Sequence, residues 1–103
     1  MKFIYTDGFV NKDFSRTLTM SDSAELTEDQ KACFLAFSCS AASKTLTLGL
    51  PEGGAMIVAN VGGTNAVTVK NVSGDTGTSV AAGKVAIVLA SATADASKVY
   101  VLN

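Results

Sequence analysis

The sequence has no histidine among its 103 residues. That removes Ser-His-Asp and Cys-His catalysis, the commonest general base, and the usual zinc and iron ligand sets. There is no tryptophan and there are two tyrosines, so a carbohydrate-stacking platform is poorly supplied. Charged residues make up 17% and the net charge is −1, which leaves no basic footprint for nucleic acid and no polybasic face for anionic lipid. No stretch approaches the roughly 18 consecutive apolar residues of a membrane helix. Residues 1–6 meet Asp7 before an apolar core can form, so we expect no secretion leader.

The chain is short of cysteine as well. Cys33 and Cys39 are the only two, and their even offset puts both on one face if residues 33–39 form one extended strand. At about 3.3 Å per residue they lie about 20 Å apart, beyond disulfide reach, so we read them as buried free thiols suited to a reducing compartment.

What is present is alternation and turn chemistry. Residues 45–91 hold four apolar runs: Leu46, Leu48 and Leu50; Met56 and Val58; Val67 and Val69; Val85, Ile87 and Leu89. A period of two marks half-buried strands. Residues 50–54, 62–65, 73–77 and 82–84 separate the runs or follow the last but one, and glycine and asparagine there suit tight connections. Connections this short exclude a parallel crossover between the strands they join, which predicts an antiparallel meander. We therefore expect an all-β fold, a small sandwich or barrel in a single domain of residues 1–103. The expected core is Leu46, Leu48, Val58, Val67, Val69, Ile87 and Leu89.

Ahead of the meander, residues 2–10 read as a hairpin about Asp7-Gly8 and residues 16–20 as a strand. Thr27 followed by Gln30 fits a capping box, predicting at most one helical turn near 27–31. Asp22, Glu25, Glu28 and Asp29 lack the spacing and glycine of a calcium loop and read as a solvated acidic loop. Residues 32–38 form a central strand, residues 40–44 a linker, and residues 98–102 a closing strand with Tyr100 and Leu102 on one face and Val99 and Val101 on the other.

The stretch from Gly77 to Val85 imitates a phosphate-binding loop and fails as one. Five residues separate its glycines where four are needed, and Val85 stands where a hydroxyl must ligate magnesium. Asn71-Val72-Ser73 is formally a glycosylation sequon, read here as accidental. Asp75 sits in a glycine-rich turn that it shapes. Asn60 and Asn71 each end an apolar run beside a turn, where their amides hydrogen-bond the loop backbone. The turn residues singled out are Pro51, Gly53, Gly54, Asn60, Gly62, Asn71 and Gly83. No catalytic residue, cofactor or metal site is expected.

The order of residues 48–51 (Leu-Gly-Leu-Pro), Gly53 or Gly54, residues 58–62 ending Asn-x-Gly, 67–71, 74–77 and 80–88 resembles a module of bacteriophage virion proteins of the head or tail fibre and capsid decoration type. It covers most of residues 45–103; residues 92–97 lack the glycine of that module's last turn. The resemblance implies a non-enzymatic virion protein, homotrimeric, with other virion proteins as further partners. Low charge fits two surfaces: an ordinary uncharged Ser/Thr exterior, or a face covered by other subunits. The alternative function is a monomeric β domain that binds a glycan or a protein through its loops. An enzyme would need a carboxylate pair in a cleft.

Overall fold

The computed structural model describes residues 15–102. The expected hairpin over residues 2–10 lies outside them. Among the described residues nine strands divide between two sheets, and the first six alternate between them. In chain order they are β1 (Ser15–Met20), β2 (Ala24–Glu25), β3 (Phe34–Cys39), β4 (Lys44–Thr47), β5 (Ala55–Asn60), β6 (Val67–Lys70), β7 (Thr78–Val80), β8 (Val85–Leu89) and β9 (Lys98–Leu102). The five-stranded sheet runs β1-β3-β5-β8-β9 and the four-stranded sheet β2-β4-β6-β7. The one helical element among the described residues is a 3₁₀ turn at Glu28–Gln30, where the Thr27 N–H donates to Gln30 Oε1 at 2.9 Å. No helix among them is long and apolar enough to cross a membrane.

The all-β character holds, but a plain antiparallel meander does not form. β1, β3 and β5 pair in parallel, and so do β2, β4 and β6. The short turns forbid parallel pairing only between strands joined within one sheet. Here successive strands lie in different sheets, so β4 is itself the crossover from β3 to β5. Each coil takes roughly 20 residues, the length of a solenoid repeat. The turns at residues 50–54, 62–65 and 82–84 are therefore corners between sheets, whereas 73–77 closes a true hairpin between β6 and β7. Antiparallel pairing returns at β5-β8 and β8-β9.

One apolar cluster fills the space between the sheets. Leu35, Phe37 and Cys39 of β3, Met56 and Val58 of β5, and Ala86 and Val88 of β8 face Leu46, Val67, Val69 and Val80 from the other sheet. Cys33 and Cys39 are buried and form no disulfide, and burial pushes the Cys33 thiol up from its ordinary pKa. Leu46, Leu48, Val58, Val67 and Val69 all lie in the core, but Ile87 and Leu89 do not. β8 presents the opposite phase: Ala86 and Val88 are buried, Ile87 is half-buried and Leu89 exposed. The run Val85-Ala86-Ile87-Val88-Leu89 is apolar on both faces, so alternation marks a strand without choosing its inner side. The bulkier set faces outward.

One position in the β6-β7 hairpin strongly favours glycine. Gly77 has φ +82°, and a Cβ there would lie 2.6 Å from Thr68 Cγ2 and 3.1 Å from the Val69 carbonyl oxygen. Gly77→Ala combines the left-handed penalty with a clash against β6, and it is expected to lower the unfolding free energy by about 2 kcal/mol. A urea midpoint unchanged from the parent would contradict this geometry.

Candidate functional site

The two buried polar side chains among the described residues, Asn60 and Asn71, lie at opposite ends of the sandwich. At one end Asn60 closes β5. It is about 1% exposed. Its Nδ2 donates to the carbonyls of Asn65 and Val80, each at 2.9 Å, and its Oδ1 accepts from the Gly62 N–H at 3.1 Å. The Asn60 backbone also accepts from Gly83 at 2.8 Å and donates to the Lys84 carbonyl at 2.9 Å. Two successive corners thus hang on one residue. Gly62 belongs to the same knot through space: a Cβ there would meet Asn60 Oδ1 and Ser38 Cβ, each at 3.3 Å. Asn65, read from the sequence only as part of the 62–65 turn, donates from Nδ2 to the Cys39 carbonyl at 3.0 Å.

At the other end Asn71 does the same for three segments. Its Oδ1 accepts from the Leu50 N–H at 2.7 Å, and its Nδ2 donates to the carbonyls of Leu50 at 3.1 Å and Ser91 at 3.0 Å. Asn71 is fully buried, so the sequon amide is inaccessible in the folded chain. Asp75 Oδ2 accepts from the N–H groups of Asn71 and Val72, both at 3.0 Å, and its Oδ1 accepts from the Asp95 N–H at 2.6 Å. Burial works against charge on Asp75, but the N–H groups of Val72, Asp95 and Asn71 outweigh it and hold the carboxyl below its ordinary pKa. Asp95 answers by accepting from the Thr76 N–H at 2.6 Å. Glu52 ties the neighbouring turn, accepting from the Ala92 N–H at 2.8 Å and the Ser91 hydroxyl at 3.1 Å. Pro51 and Gly53 are exposed at the corner before β5; the Pro51 carbonyl accepts from Gly54, and Gly53 donates to Ala90.

A depression of about 110 Å³ opens between the Asp75 and Asp95 turns, lined also by Lys70, Thr76 and Ser97. It is smaller than the roughly 300 Å³ of an ordinary small-molecule site. The acidic loop forms no common site: Asp22 pairs with Lys44 at 3.1 Å and Glu28 with Lys31 at 2.9 Å, both acids about four-fifths exposed.

The outer faces of the two sheets differ in chemistry. On the four-stranded sheet the outward rows are Glu25-Thr47-Lys70 and Thr45-Thr68-Ser79, which are polar throughout. On the five-stranded sheet one outward row runs Phe34-Ile57-Ile87-Tyr100 across β3, β5, β8 and β9. The parallel row is Ala36-Ala59-Val85-Leu102, and Leu89 adds to it beside Ala55. These two rows turn polar at β1, with Ser15 and Thr17, and the row through Ala55 and Leu89 ends in Lys98 of β9. Sequence reading missed this face because it assigned Ile87 and Leu89 to the interior.

No family model, characterised protein or solved structure matches the chain. The likeness to virion modules rests on the pattern of residues 45–103 alone.

Proposed function

We propose that the chain is a non-enzymatic structural subunit of a phage-like virion, of the head or tail fibre or capsid decoration type, and that it assembles as a homotrimer. The observation that carries this reading is where the polar chemistry goes. Asn60, Asn71, Asp75, Glu52 and Asp95 all bond backbone groups of the chain's own corners. These side chains hold a shape, which is the task of a scaffold. The sequence resemblance points the same way. Among the described residues β1, β9, β2 and β7 are the outermost strands of the two sheets, and sheet edges in small β proteins are commonly covered by subunit contacts.

Light scattering on the dilute full-length chain tests the proposal. The expected molar mass is three times that of the 10.5 kDa chain. A stable monomer would remove the self-association on which the reading depends, and would favour a loop-binding module instead.

A further inference from the structure

We infer that the outer face of the five-stranded sheet is the surface on which copies of this chain meet. The inference builds on the reading of the chain as a self-associating subunit and names the place where association occurs.

The contrast between the two sheets is the first ground. A strand that faces water on one side alternates apolar and polar residues, as β4 and β6 do. β5 and β8 are apolar on both sides, which is the pattern of strands covered on both sides. Among the described residues the inner side is covered by the four-stranded sheet, and no strand lies over the outer side.

The second ground is area. Ile57 is 39% exposed, Leu89 46%, Tyr100 54% and Leu102 45%. With the half-buried Phe34 and Ile87 the patch presents on the order of 500 Å², at the upper end of what monomers expose. Two such faces in full contact bury about 1,000 Å², the lower bound for a specific interface.

The third ground is charge. Among outward positions of β3, β5, β8 and β9, Lys98 at the rim is the only charged residue. A nucleic acid or an anionic membrane finds only the rim cation Lys98 to pair with here. A second copy brings the same apolar, uncharged surface, which suits contact between copies.

Light scattering on full-length Ile57→Lys and Leu89→Lys, beside the parent and Ser79→Lys on the polar face, tests this. Lysine in the contact loses its hydration, so the two face variants are expected to associate at least roughly tenfold more weakly and to appear as monomers. Ser79→Lys is expected to keep the parent's mass. Circular dichroism and thermal midpoints check that all remain folded; if a lysine variant does not fold, Ile57→Thr and Leu89→Thr replace it. An oligomeric parent with equally oligomeric face variants would overturn this face and leave self-association standing. A monomeric parent would overturn both readings. Hydroxyl-radical footprinting of such a monomer with Ile57 and Tyr100 protected would show another part of the chain covering the face.

Discussion

Val67→Asp is expected to abolish the cooperative unfolding transition at room temperature. Val67 is fully buried, opens β6, and lies in register with Lys44 of β4 and Val80 of β7. Its side chain belongs to the one cluster that both sheets share. The substitution removes an apolar contact worth about 2 kcal/mol and forces a carboxyl into the same space, either charged or protonated at a further penalty. Together these amount to on the order of 5 kcal/mol, against a total stability of about 5–15 kcal/mol for a domain of this kind. Far-UV circular dichroism during a thermal ramp reads the result. A variant that melts like the parent would mean that β6 presents its other face to the core, because a slip of one residue reverses every side chain.

Asn71→Ala is the second large effect, and it acts without touching the apolar core. The substitution strands three backbone groups at once: the Leu50 N–H, the Leu50 carbonyl and the Ser91 carbonyl. An unmet buried group is destabilising by about 1–3 kcal/mol, so a loss of about 3–5 kcal/mol is expected, allowing for water reaching the more exposed Ser91. The three segments joined here are the corner into β5, the β6-β7 hairpin and the exit from β8. Urea denaturation followed by circular dichroism measures the loss. A change below about 1 kcal/mol would show that water replaces the amide and that the knot is not what holds this end together.

Strand existence was legible in residues 15–102 because alternation is a local property. Lys98–Leu102 and the Glu28–Gln30 turn lie where the pattern puts them. The two-residue β2 and three-residue β7 were too short to show a period. Topology was not legible. Glycine and asparagine at residues 50–54 report that the chain turns, and the same chemistry serves a hairpin or a corner to a second sheet. What decides is the partner of the next strand, and that is a non-local fact. The phase of β8 was hidden because both its faces are apolar. Asn60 and Asn71 were visible as run-ending asparagines, but their partners at Val80 and Ser91 are 20 residues away. The Asp75–Asp95 exchange carries no sequence signal, since the two turns meet only in the folded chain.

The alternation of the first six strands between the sheets also bears on how the structure comes apart. A sandwich made from two self-contained meanders is able to lose one layer and keep the other. Here each parallel pair in one layer is held in register by a strand stitched into the opposite layer, β4 between β3 and β5, and β5 between β4 and β6. Neither layer is a continuous piece of chain, and each stands as the other's connection. Detaching β4 frees the tether of β3 to β5 as well as its own pairing to β6. Partial melting therefore has no natural boundary within residues 15–70, and this part of the chain behaves as one cooperative unit.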